Sequence, residues 1–211
     1  MTNQGTKDPA GRLESMAITK DVDPRAVVGD DTKIWHLVQI REHARIGAHC
    51  VIGRGVYIGP GVVVGDNCKI QNGALIYDPA VLEDGVFVGP AAVLTNDQYP
   101  RAISAEGQLR GSDDWTQVGV TVRHGASLGA RCVCVAPVTI GAWAMVAAGA
   151  TVVRDVPDFA LVAGTPARRI GWVGRFGVPL VATEDGHWRC PESGELYEES
   201  DGVLRLAEAH T

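Results

Sequence analysis

Aliphatic residues return along this chain every six positions. Stepping by six from Val22 gives Val22, Val28, Ile34, Ile40, Ile46, Ile52, Ile58, Val64, Ile70, Ile76, Leu82, Val88 and Leu94. Four residues after each guide position the side chain is mostly small, as in Ala26, Ala44, Cys50, Cys68, Ala74, Ala80 and Ala92. A helix repeats at about 3.6 residues and a half-buried strand at about 2, so neither explains the pattern. An aliphatic residue followed by glycine at period six is one short strand and one turn. Three such hexads close one triangular coil of a parallel β-helix. A coil is too thin to bury a core alone, so guide residues of successive coils must stack into a shared column. The period resumes in a shifted phase at Val122, Leu128, Cys134, Ile140, Val146 and Val152.

Within the repeat, "NCKIQNGALIYD" (67–78) departs from its neighbours. Gln71 and Asn72 stand where glycine and another turn residue are expected, while Ile70, Ala74 and Ile76 keep the period. Only turn side chains change, which singles out Asn72. Residues 95–116, "TNDQYPRAISAEGQLRGSDDWT", break the repeat altogether. An insertion this long is a functional arm or a plain surface excursion; two arginines, a tyrosine and a tryptophan favour a ligand-facing arm. The expected organisation is a flexible segment over 1–20, the β-helix over 21–170 with that arm inserted, and a small β-rich appendage over 171–211.

Composition narrows the partners. The 211 residues carry a net charge of −6, without the basic stripe that a nucleic-acid surface needs. Neither a signal peptide nor an apolar run of about 18 residues is visible, so no membrane association and a cytoplasmic location are expected. The five cysteines make no even framework. Cys50 and Cys68 lie one coil apart in the small inward position, where they read as buried hydrophobes.

Three functions compete on such a frame: a CoA-dependent acyltransferase, a metal enzyme of the γ-carbonic-anhydrase type, and a scaffold without catalysis. The metal enzyme needs three converging histidines, and the spacing of His36, His43 and His49 scatters them over successive faces. In the tail, "RCPESGELY" holds Cys190 but has Ser193 where a second knuckle cysteine would sit. One thiolate does not hold a structural zinc. The expectation is no metal, and a tail held by Trp172, Trp188, Tyr197 and Leu204.

The hexad pattern resembles the hexapeptide-repeat acyltransferases, which implies a left-handed parallel β-helix and a homotrimer with sites between subunits. "VAAGATVVRDVPDFALVAGTPARRIG" (146–171) is similar to that family's last coil and exit segment, which lines the acetyl-CoA groove. The resemblance implies Ala147, Ala148 and Gly149 along the pantetheine, Thr165 and Pro166 beside the adenine, and Arg154, Arg168 and Arg169 on the phosphates. "KIWHLVQI", "KIQNGALIYDPAVLEDGVFVGP" and "LTNDQYPR" resemble the N-acetyltransferases of UDP- or dTDP-linked amino sugars. Carried over by position, Asn72 lies beside the acceptor amine, Tyr77 and Asp84 face the sugar nucleotide, and Asn96 and Arg101 begin the loop over it. Relatives often have a second Asn where this chain has Gly73, and the loop residues "DQY" also differ.

Amide formation needs a neutral amine held against a polarised thioester. An amine with a pKa of about 8 is partly neutral near neutral pH, so orientation by an Asn carboxamide supplies much of the rate. A backbone N–H can face the oxyanion. His36 is the alternative general base, with His124 a further candidate. O-acetylation, or acetylation of another small acceptor, remains open on the same fold.

Overall fold

The computed structural model describes residues 20–207. Most of the expected N-terminal segment (1–19) and the last four residues lie outside the described residues. The chain winds into a three-sided parallel β-helix, as the hexad pattern requires. Face 1 stacks Asp21–Val22, Gln39–Ile40, Tyr57–Ile58, Leu75–Ile76, Val93–Leu94, Val133–Cys134 and Thr151–Val152. Face 2 stacks Val27–Val28, Arg45–Ile46, Val63–Val64, Val81–Leu82, Val120–Val122 and Val138–Ile140. Face 3 stacks Lys33–Ile34, Val51–Ile52, Lys69–Ile70, Phe87–Val88, Ser127–Leu128, Met145–Val146 and Ala160–Ala163.

Each guide residue sits over the one 18 residues earlier, as Ile40 pairs with Ile58 and Ile58 with Ile76. The arm is absorbed without loss of register, because Leu82 pairs with Val122 and Leu94 with Cys134. Within it, Ile103 bridges Leu109 in antiparallel sense and Ser112–Asp114 forms a 3-10 turn. The guide residues from Ile40 to Val162 are buried. Those of the first coil, Val22, Val28 and Ile34, are only half-buried, with no coil beneath them among the described residues.

The hexad's turns explain its glycines. At the third residue past the guide position the backbone is left-handed, with φ of 61° at Leu37 and His43, 58° at His49 and 69° at Gly73. The first turn residue faces a different constraint. Asp66 Oδ1 accepts the Ala48 N–H at 2.7 Å and Asp84 Oδ1 accepts the Asp66 N–H at 2.8 Å, each reaching one coil back. A Cβ on Gly47 or Gly65 would lie 2.3 Å from those carboxylate oxygens. Glycine follows the aliphatic residue there because the next coil's Asp folds over it.

Cys50 and Cys68 stack as expected, both buried, their thiols donating to the carbonyls of Gly65 and Glu83 at 3.2 Å. The Cys50 sulfur beside it, together with burial, holds the Cys68 thiol well above the ordinary range, so it stays protonated.

The helix continues past Val152. Val156 bridges Ile140, Ala160–Ala163 closes face 3, and Arg168–Trp172 returns antiparallel to it. An antiparallel meander of Val181–Ala182, Trp188–Arg189, Leu196–Ser200 and Val203–Leu206 forms the appendage. Trp172, Tyr197 and Leu204 are buried, and the Tyr197 ring meets Phe159 edge-on at 5.4 Å. The appendage therefore joins its core to the solenoid's C-terminal end and covers what would be an open edge. No helix of the described residues is long and apolar enough to cross a membrane.

Candidate functional site

Turn positions repeat every 18 residues, so residues that far apart share a corner. The corner from face 3 to face 1 carries His36, Arg54, Asn72, Pro90, Ala130 and Ala148 in one column, linked by turn hydrogen bonds such as Gly55 N–H to His36 O and Gly73 N–H to Arg54 O. Strands stack at about 4.8 Å, so His36 and Asn72 are roughly 10 Å apart along the corner, and Ala148 about 14 Å beyond Asn72. Thr165 and Pro166 turn on this corner as well. Thr165 Oγ1 lies 3.2 Å from Thr151 Oγ1, and the Thr151 N–H donates to Gly164 O. Seven of the expected residues, His36, Asn72, Ala147, Ala148, Gly149, Thr165 and Pro166, thus line one edge, and all but Ala147 are exposed.

Asn72 has a structural task that its sequence context hides. Its Oδ1 accepts the Arg54 N–H at 2.9 Å, as Asp66 and Asp84 do in their own turns. Gly53 lies beneath, and a Cβ there would be 2.6 Å from Asn72 Oδ1. Because the backbone group is a donor, the carboxamide orientation is fixed. The amide NH2 points away from Arg54, and Oδ1 keeps a second lone pair. A carboxylate would hold the turn equally well, so the turn does not require the amide nitrogen.

The other expected substrate residues divide between corners. Tyr77 is on the corner from face 1 to face 2, where its ring packs on Tyr57 at 5.2 Å. The arm leaves the same corner. At its root the Val118 N–H donates to Asn96 O at 3.1 Å, and Thr95 Oγ1 accepts the Ala136 N–H. Arg101 is exposed farther out and lines a concavity enclosed by the arm itself, with Ile103, Gln108 and Arg110. Arg154, also exposed, occupies this corner near the C-terminal end. Asp84 departs from the expected grouping. It lies on the corner from face 2 to face 3, with Oδ1 engaged by Asp66, across the strand Val81–Leu82 from Tyr77.

Arg169 is committed elsewhere. It pairs with Glu199 at 3.0 Å and stacks over the Trp172 ring at 4.1 Å. Glu199 also accepts Trp172 Nε1 at 2.8 Å and Trp188 Nε1 at 3.1 Å. Burial raises the Glu199 pKa, but the Trp172 and Arg169 hydrogen bonds outweigh it and the net shift is downward. Arg169 thus fastens the exit strand to the appendage. Arg168 is exposed and, among the described residues, its side chain donates only to the Ala167 carbonyl.

The histidines weighed for a metal fall on three corners, His36 on the first, His43 on the second and His49 on the third, where His124 also lies. His124 sits edge-on against Trp143 at 5.1 Å. Among the described residues no three His, Cys, Asp or Glu side chains gather as a metal set. Sequence reasoning missed Arg54 and Tyr57. A step of 18 from His36 lands on Arg54 and the next on Asn72, so that signal was available.

A family model described as "Bacterial transferase hexapeptide (six repeats)" matches residues 25–60 and 61–96. A second, "Hexapeptide repeat of succinyl-transferase", matches 43–78 and 119–154. The chain is 43% identical over 83 residues to the dTDP-3-amino-3,6-dideoxy-alpha-D-galactopyranose 3-N-acetyltransferase of Aneurinibacillus thermoaerophilus, covering 39% of this chain and 42% of that one. It is 35% identical over 107 residues to serine acetyltransferase 4 of Arabidopsis thaliana, covering 48% of this chain and 24% of that one. The chain spans less than half the length of these curated relatives. Among solved structures, PerB of Caulobacter crescentus with CoA and GDP-perosamine is 28% identical with a TM-score of 0.41, covering 72% of this chain and 54% of that one. A hexapeptide-repeat acetyltransferase of Vibrio cholerae is 22% identical with a TM-score of 0.48, covering 69% and 73%.

Proposed function

From the premise that the chain belongs to the hexapeptide-repeat transferases, we propose that it moves acetyl from acetyl-CoA to the amine of a nucleotide-linked amino sugar, at C3. The observation that carries this reading is the single corner on which His36, Arg54 and Asn72 are followed by Ala147–Gly149 and the Thr165 turn. A slender thioester arm fits the small-residue end and an amine fits the polar end. The 3-N-acetyltransferase of Aneurinibacillus thermoaerophilus supports the choice of acceptor.

In this mechanism the Asn72 carboxamide accepts one N–H of the neutral amine and aims its lone pair at the thioester carbon. The C–N bond forms, the C–S bond breaks, and the CoA thiolate leaves. The excess proton on nitrogen passes to that thiolate or to solvent. Arg168 and Arg154, which pair with no carboxylate among the described residues, suit the CoA phosphates. Completing the groove falls to a neighbouring copy in a homotrimer, and the reaction belongs to the cytoplasm, where acetyl-CoA and sugar nucleotides meet.

Thiol release from acetyl-CoA, measured against a panel of UDP-, dTDP- and GDP-linked amino sugars, tests the proposal. Release above background with at least one 3-amino sugar nucleotide is expected. Release with none of them, together with no thermal shift on adding acetyl-CoA, would support the scaffold reading instead.

A further inference from the structure

The chain is poor in aromatics, at 6%, yet two tyrosines from adjacent coils pack ring to ring on its surface. Tyr57 projects outward from face 1 and Tyr77 begins the following corner, so the 18-residue register does not pair them; their rings meet across it at 5.2 Å and 49°. Both are half-buried, leaving part of each aromatic face open. Burial pushes the Tyr57 phenol up, against the pull of the Arg41 guanidinium beside it. Arg41 is held by Glu42 through Nε at 2.8 Å and Nη2 at 3.1 Å, which leaves the Nη1 hydrogens unused by that pair. On the other side of Tyr77, Asp78 accepts a hydrogen bond from Gln117 at the returning end of the arm.

An aromatic surface, an oriented guanidinium and an amide–carboxylate pair together match the base face, the phosphates and the base edge of a nucleoside diphosphate. A base stacks on tyrosine, phosphate oxygens take paired N–H donors, and base-edge groups meet Asp78 and Gln117. The place is also suitable. Asn72 and Tyr77 flank face 1 on the same coil, with the turn at Gly73 and the strand Leu75–Ile76 between them, at most roughly 16 Å for five steps along the chain. A sugar nucleotide, from its amine through the diphosphate to its base, is long enough to bridge that face.

We propose that Tyr57, Tyr77 and Arg41 form the subsite for the nucleoside diphosphate half of the acceptor, with the base stacked on the tyrosine pair and the diphosphate at Arg41. This rests on the acceptor being a sugar nucleotide, but it is read by binding alone, without turnover. UDP, dTDP and GDP are titrated into the full chain by calorimetry, beside Tyr57→Ala, Tyr57→Phe and Arg41→Ala. At least one nucleotide binds the wild type. Tyr57→Ala weakens it by about tenfold or more, Tyr57→Phe by less than about threefold, and acetyl-CoA binds all variants alike. Equal nucleotide affinity in wild type and Tyr57→Ala, or no binding of any of the three, overturns the subsite. Should Tyr57→Ala not fold, nitration of the wild type decides, with the nucleotide expected to protect Tyr57 and Tyr77 and equal modification with and without it counting against the proposal. If a nucleotide binds here but no amino sugar nucleotide is acetylated, the acceptor reading fails while the subsite stands.

Discussion

The Asn72 carboxamide oxygen accepts the Arg54 backbone N–H at 2.9 Å, one coil back. The residue proposed to lie beside the acceptor amine is therefore also a turn-closing residue, and substitutions separate the two tasks. Asn72→Asp keeps the turn bond, as Asp66 and Asp84 do, but puts a negative charge beside the amine that favours its unreactive ammonium form. Asn72→Ala loses both the turn bond and the carboxamide. Both variants should lose about 100-fold or more in kcat, but only Asn72→Ala should also lose roughly 1 kcal/mol of stability. His36→Ala should cost less than about tenfold in kcat. Steady-state kinetics with thermal melts checks this; near-normal turnover in Asn72→Asp, with turnover abolished in His36→Ala, transfers the central role to His36.

Arg54 stands between His36 and Asn72 on the corner. A guanidinium near the substrate amine disfavours its ammonium form, so it lowers that pKa and raises the neutral fraction. Removing it does the reverse. Arg54→Gln should move the acidic limb of kcat, which reports the bound complex, to higher pH, by a fraction of a unit at this exposed corner. A pH profile identical to wild type contradicts the effect.

Arg168 and Arg169 are adjacent in sequence but differ in use. Arg168→Ala should raise KM for acetyl-CoA severalfold with little change in melting temperature. Arg169→Ala, which breaks the Glu199 pair and the contact over Trp172, should chiefly loosen the appendage. Tryptophan fluorescence and KM measured together distinguish them. A KM effect larger in Arg169→Ala than in Arg168→Ala reverses the assignment.

Two left-handed glycines offer a packing test. Gly61 has φ of 65° with nothing within 4 Å of an added Cβ, whereas Gly125, φ 67°, would place its Cβ 2.5 Å from the Trp143 ring. Gly61→Ala should cost about 1 kcal/mol from backbone strain alone. Gly125→Ala should cost about 3 kcal/mol, because the ring must also move. Equal losses on denaturant unfolding would remove the Trp143 contact from the explanation.

The fold was legible because burial selects one residue per hexad, and Ile40, Ile58 and Ile76 carry that signal in plain view. Corner membership needs a longer ruler. Tyr77 and Asp84 are close in sequence and look like one strand-turn, yet Val81–Leu82 puts them on different corners. The commitment of Arg169 could not be read, since Glu199 lies 30 residues on in a different sheet. Nor could the Tyr57–Tyr77 pair, which crosses the 18-residue period. The arm was recognisable as an insertion, but its Ile103–Leu109 bridge has no periodic signature.

The most direct test of the account is the identity of the acetylated atom. The full chain is incubated with acetyl-CoA and 3-amino sugar nucleotides, and the product is analysed by mass spectrometry before and after hydroxylamine, which cleaves acetyl esters but spares amides. A single acetyl group that survives hydroxylamine and maps to the C3 nitrogen is the predicted result. A hydroxylamine-labile product, or acetyl transfer only to acceptors without a nucleotide, would contradict it.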